Sequence, residues 1–152
     1  MSIANSPLSI NEKTGDFTHV AVFDYTDIQD NATDANQAVI ATIPAGGAVE
    51  LCYVYEDVAL AGTSDITLDV GTTTGDPDEF IDALDVDGLS APAYNTGDAF
   101  TTAEGEANKL ILAGATSTAT DIVAEWNGTV ANLTAGRVII GLRILNPGRF
   151  TK

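Results

Sequence analysis

His19 is the one histidine of the chain and Cys52 the one cysteine, so acid–base or nucleophilic chemistry has to be built around them or around carboxylates. A nucleophile–base–orienter triad needs His19, a serine or threonine and an aspartate brought together by the fold. The spacing supports no such set, and no G-x-S-x-G elbow is present. His19 sits in a run of strand-forming residues, where a histidine ordinarily serves as a polar surface or interface group. Cys52 also lies in a β-patterned run and reads as a small buried thiol. A lone cysteine excludes an internal disulfide and any multi-cysteine metal site. No glycine-rich run is followed by Lys-Ser or Lys-Thr, so a phosphate-cradling loop is absent.

Carboxylates are abundant. Two of them can flank a glycosidic bond, but a saccharide cleft also wants aromatic platforms, and Trp126 is the only tryptophan in a chain that is 7% aromatic. Asp76, Asp78, Glu79, Asp82, Asp85 and Asp87 crowd one segment with oxygens of the kind hard cations take. Their spacing does not match the twelve-residue EF-hand loop. A solvated acidic face is the plainer expectation, a structural calcium ion the sharper one, and no cofactor is implied. Asn31-Ala32-Thr33, Asn127-Gly128-Thr129 and Asn132-Leu133-Thr134 fit the glycosylation pattern. With nineteen threonines such matches arise by chance. The reading is therefore non-enzymatic.

Net charge is −16, from 22 acidic and six basic residues. Such a surface repels nucleic acid, whose binding needs basic groups to displace counterions. Aspartate outnumbers glutamate fifteen to seven, and the lysines are Lys13, Lys109 and Lys152 alone. Dense short carboxylates with few lysines suit concentrated salt, where self-repulsion is screened within ~3 Å at 1 M; ordinary solubility through charge is the alternative. Arg137, Arg143, Arg149 and Lys152 place four of the six basic residues in the last sixteen positions. They read either as neutralisation of nearby carboxylates or as a docking edge for an acidic partner. The N-terminal residues lack the pattern of a secretion signal, and no apolar run is long enough to span a bilayer. The expectation is a soluble product made in the cytoplasm.

A length of 152 residues and 45% hydrophobic content indicate one domain with a real core. Residues 1–16, with Pro7 and Gly15, read as an extended arm, and residues 17–152 as the β domain. Phe17 to Tyr25 is a strand with apolar residues on both faces, followed by a polar loop from Asp27 to Asn36. Gln37 to Ile43 is the next strand. Pro44-Ala45-Gly46-Gly47 is a turn, expected to close a hairpin. Beyond it Val49, Leu51, Tyr53 and Tyr55 alternate with Glu50, Cys52, Val54 and Glu56, one set facing inward.

Ile66, Leu68 and Val70 form a strand ending at Gly71. Asp76, Pro77 and Glu79 carry a capping-box spacing, which with Phe80, Ile81 and Leu84 predicts a short helix. Ser90 to Glu106 is loop-like, with a short strand expected at Ala99 to Thr102. Leu110 to Ala113 is a further strand, as is the alternation of Ile122, Ala124 and Trp126. The clearest inward face is Val138, Ile140, Leu142 and Ile144, with Arg137, Ile139, Gly141, Arg143 and Leu145 on the opposite side. About eight turn-separated antiparallel strands make a β-sandwich, jelly roll or barrel, and the long excursions favour Greek-key crossings.

The segments Ile43 to Leu51, Tyr53 to Val58, Asp65 to Gly71, Pro77 to Asp82 and Thr134 to Leu142 together resemble small virion proteins of tailed viruses. These include capsid decoration (cement) proteins and related head or fibre domains. The resemblance implies a jelly-roll-like fold, homotrimeric assembly, a place on the capsid exterior and the major capsid protein as partner. It supplies no catalytic residues. Contact residues expected for that role are Phe17, His19, Phe23 and Ile139. Further along they are Arg143, Leu145, Arg149, Phe150 and Lys152. A receptor- or glycan-binding β-sandwich of a fibre or cell surface is the alternative.

Overall fold

The computed structural model describes residues 2–4, 17–33, 37–72, 76–97 and 118–146. They form nine strands, β1 (Ser2–Ala4), β2 (His19–Asp24), β3 (Gln37–Ile43), β4 (Ala48–Ala61), β5 (Thr67–Thr72), β6 (Asp76–Asp85), β7 (Ala93–Tyr94), β8 (Thr120–Asn127) and β9 (Ala135–Leu145). One helix, α1 (Tyr25–Thr33), follows β2, and a 3-10 turn at Val130–Asn132 precedes β9. One sheet has the order β1-β2-β9-β4-β7 and the other β3-β8-β5-β6, with every pairing antiparallel. Apart from the added β1, these are two four-stranded sheets between which the chain repeatedly crosses. That is the jelly-roll form of the expected β-sandwich.

The core lies between the sheets. Ala21 and Phe23 of β2, Cys52 and Val54 of β4, and Val138, Ile140, Leu142 and Ile144 of β9 face Ile40, Leu68, Val70, Ile122, Ala124 and Trp126. Phe23 meets Trp126 edge-on at 5.4 Å between ring centroids. Trp126 Nε1 is buried without a hydrogen-bond partner among the described residues, and the Phe23 ring beside it offers the indole a weak aromatic neighbour. The inward assignments for β5, β8 and β9 hold as expected. Cys52 is buried, and burial pushes its thiol pKa far up, which removes the reactive thiolate.

Four expectations are corrected. The segment 76–84 is not a helix but β6, paired with β5. Register shifts between Leu68 and Val70 and between Val70 and Thr72 let the adjacent Phe80 and Ile81 both enter the core. In sequence that bulged strand imitates the 80/81/84 spacing of a helical face.

Conversely, Asp27 to Thr33 of the expected polar loop belong to α1. Asp24 precedes the helix, and its backbone N–H donates to Asp27 Oδ2 at 3.0 Å, one half of a capping box. Gln29 Nε2 donates to the carbonyls of Ala131 and Leu133, fastening the helix to the 3-10 turn. Ile28 is its fully buried anchor. One apolar anchor makes no stripe, which is why periodicity missed it.

The turn at Pro44–Gly47 is present, with Gly47 N–H donating to Pro44 O at 2.7 Å and Gly46 at φ 71°. It does not close a hairpin. β3 pairs with β8 and β4 with β9, so the turn carries the chain from one layer to the other. Lastly, the strict alternation expected of β4 is interrupted. A register shift between Val49 and Leu51 puts Val49, Cys52 and Val54 inward, leaving Leu51, Tyr53 and Tyr55 outside.

β7 lies within the stretch read as loop. The strands expected at 99–102 and 110–113 fall outside the described residues, as do residues 5–16 of the N-terminal segment. Ser2–Ala4 pairs along β2, with Ser2 opposite Val22, Ile3 opposite Ala21 and Ala4 opposite Val20.

Candidate functional site

The outer face of the five-stranded sheet follows from its registers. Strand side chains alternate between faces, so the neighbours of the buried β9 residues lie outside. Ile139 is flanked by Val22 on β2 and Tyr55 on β4. Gly141 is flanked by Val20 and Tyr53, and Tyr53 in turn by Tyr94 on β7. Leu51 lies opposite Arg143, and Leu145 ends the row. Tyr94 is 65% exposed, Val58 46%, Tyr55 40% and Leu145 37%. The result is a contiguous apolar and aromatic face across four strands.

Phe17 caps its middle. The ring lies over Gly141, where an added Cβ would come within 2.8 Å of ring atoms, and 5.3 Å from the Tyr53 ring centroid. Only glycine leaves room for that stack. Next to it, Thr18 continues the ladder of β9. Its N–H and hydroxyl both donate to Leu142 O, and Ile144 N–H donates to its Oγ1. Thr18 Oγ1 also lies 2.9 Å from His19 Nδ1. The hydroxyl proton is engaged by Leu142 O, so the arrangement that satisfies all partners has Nδ1 protonated and donating to Oγ1. Burial lowers the His19 pKa and keeps the ring neutral.

Charges are present on this face but are matched locally. Arg137 Nε donates to Asp24 Oδ1 at 2.8 Å and its Nη1 to Asp57 Oδ2 at 3.3 Å. Arg143 Nη1 reaches Glu50 Oε2 at 3.5 Å. The hydrogen bond from Arg137 to Asp24 raises the guanidinium pKa further. Of the two readings of the C-terminal arginines, neutralisation describes both of these.

The outer face of the four-stranded sheet is different. Gln37 Nε2 donates to Glu125, Thr42 Oγ1 to Asp121 and Asn127 Nδ2 to Asp69, each at 2.8–2.9 Å. Ala83, at φ 42°, donates its N–H to the other oxygen of Asp69. Desolvation raises the Asp69 pKa despite these bonds, and does the same to Glu79, which accepts from Thr72 Oγ1. At the end of this sheet Asp65 accepts from the hydroxyls of Thr129 and Thr63, which lowers its pKa. The six acidic residues from Asp76 to Asp87 lie on and just after β6. No group of three or more His, Cys, Asp or Glu among the described residues is arranged to hold a metal ion.

Of the residues expected to make contacts, Phe17, Ile139, Arg143 and Leu145 share the apolar face. His19 stands at its margin, half-buried. Phe23 is wholly buried against Trp126 and offers no surface. Arg149, Phe150 and Lys152 fall outside the described residues. Sequence reasoning missed Val20, Val22, Tyr53, Tyr55 and Tyr94. The available signal was the phase of β4: with Cys52 and Val54 on one side, tyrosines, which tolerate half-wet positions, belong on the other.

Comparison with protein-family models and with curated protein sequences finds no match. Among solved structures, the fold is similar to that of a chain of the cyanophage Pam1 capsid asymmetric unit. The likeness covers 84% of this chain and 82% of that chain, with a TM-score of 0.58 and 21% identity. What this shows is a shared fold.

Proposed function

We propose that this protein is a non-enzymatic virion structural protein, set on the exterior of a tailed-virus capsid that it decorates and stabilises as a homotrimer. The chemical opposition of the two sheet faces carries the reading. A protein that coats a particle needs one surface that sticks and another that stays in water. The apolar face centred on Gly141 suits the first role, and the acidic face around Asp69 and Glu125 suits the second. Sharing a fold with a chain of a cyanophage capsid adds support. The partners are further copies of itself and the major capsid protein. A net charge of −16 fits assembly in a saline habitat, where screening lets acidic copies approach.

The test is to purify particles by sedimentation and quantify this chain by protein staining. Hundreds of copies per particle are expected; a few copies, or none, overturn the proposal. The exposed Tyr55 and Tyr94 favour one other reading, in which aromatic rings stack on sugar faces. Binding of the isolated protein on a glycan array, with no particle association, decides for it.

A further inference from the structure

We infer that β1 of one copy completes the sheet edge at β2 of a second copy, so that neighbouring chains exchange strands. This deepens the homotrimer reading and rests on it. The edges of the two sheets differ in how they are protected. β6 carries Pro77, five acidic residues, a positive φ at Ala83 and two register shifts against its neighbour. β3 has a register shift between Val39 and Ala41. β7 is two residues long, and Asn95 ends the ladder beside it: Cys52 N–H donates to its Oδ1 at 2.8 Å, and its Nδ2 donates to Glu50 O. Each of these devices discourages pairing by another chain.

The central residues of β2 have none of them. Val20 to Phe23 carries no charge and no proline, and its register against β9 is unbroken. This is the edge that β1 occupies, over three residues.

β1 lies well before Phe17 in the sequence. Residues 5–16, twelve in all, separate it from Phe17, enough to extend roughly 40 Å. Three paired residues gain little against the entropy of fixing two segments twelve positions apart within one chain. Given to a neighbour, the same hydrogen bonds form and the copies are also tied together. Charge favours the same place. Met1 to Pro7 contains no charged side chain, in a chain whose net charge is −16. A neutral strand meeting a neutral edge is where such copies approach without repulsion.

Paired β residues have Cα atoms close enough for a disulfide, and Cys52 is buried and inert, so the pairing can be trapped in the full-length chain. The Ser2→Cys/Val22→Cys variant, oxidised and run on a non-reducing denaturing gel, is expected to give covalent dimers and trimers. Ser2→Cys and Val22→Cys single variants, unfolded together and refolded, are expected to cross-link to each other. Oxidised chains that run as monomers with both thiols consumed overturn the exchange. An Ala4→Cys/Val20→Cys pair covers unsuitable disulfide geometry at the first, and closure of neither pair overturns it too. Sedimentation of the unmodified protein separates the two readings. An oligomer whose chains close only on themselves sinks the exchange alone, whereas a monomer sinks the homotrimer as well.

Discussion

The two sheets draw on the same alphabet of valine, isoleucine, alanine and threonine, yet their outer faces are chemical opposites. On the four-stranded sheet several outward polar groups bond to one another across the strands: Gln37 with Glu125, Thr42 with Asp121, Asn127 with Asp69. On the five-stranded sheet the outward positions are Val20, Val22, Ile139 and the tyrosines, with Phe17 laid across Gly141. Cross-strand pairs stabilise a sheet whether they are polar or apolar, so stability alone does not require the difference. An apolar outer face costs solubility unless something covers it, and its retention on one side only points to a directional contact.

The largest expected effect comes from placing a charge on the apolar face. Ile139→Glu is expected to leave the β circular-dichroism spectrum intact while weakening particle association or self-association by at least ~30-fold, the size of an interface hot spot. Val39→Glu puts the same charge on an exposed position of the other face and should change association less than threefold, within the ordinary spread of a position outside an interface. Equal losses from both variants erase the functional distinction between the faces.

Next in size is the fit of Phe17 over Gly141. Gly141→Ala should destabilise by about 1–3 kcal/mol in denaturant titration, as overpacking does, because the added Cβ meets the ring. In a Phe17→Ala background the same change should cost less, a non-additivity that a double-mutant cycle reads directly. Simple additivity would place Phe17 elsewhere.

Salt addresses the acidic side. Raising ionic strength from about 0.1 M to 1 M, which shortens the Debye length from ~10 Å to ~3 Å, should raise the unfolding midpoint. A midpoint that does not fall as salt is withdrawn ends the saline-habitat reading.

The smallest effect is in pH, and its sign differs between the faces. Asp69 and Glu79 have pKa values raised by desolvation. The native state therefore holds their protons more tightly than the unfolded chain does. Their contribution is fully present below the ordinary carboxylate range and is lost as pH rises through the raised values. Glu79→Gln should remove part of that slope. His19 runs the other way: its lowered pKa contributes stability above 6.5 that is lost as pH falls through the folded value. Chemical denaturation of His19→Gln and wild type between pH 7 and 5 measures it, and parallel slopes would contradict the burial of the ring.

Legibility followed from how many partners each inference needed. The inward face of β9 could be read directly, because four alternating aliphatic residues have one consistent arrangement against a core. The helix expected at 76–84 failed because a capping-box spacing and three apolar residues are compatible with two local structures, and the ladder with β5 chose the strand. The phase of β4 stayed open because both of its faces carry apolar side chains, and a one-residue shift at Val49–Leu51 breaks the alternation, so that Val49 joins Cys52 inside while the tyrosines lie outside. That slip hid most of the candidate face. Phe23 was misplaced for a related reason, since an aromatic residue on a two-faced strand shows its side only when Trp126 is set against it.

By itself the amino-acid order determined what local chemistry can determine: an all-β chain, its turns at Pro44–Gly47 and Asn127–Gly128, a strongly acidic surface and the inward row of the last strand. Which strands pair, which layer each joins and which apolar side is left over were decided only in the folded molecule. Those outcomes depend on hydrogen bonds and packing between residues distant in the chain. Phe17 finds Tyr53, and β2 lies against β9 across more than a hundred positions. A single register shift, invisible in any local window, reverses which side of a strand meets the outside.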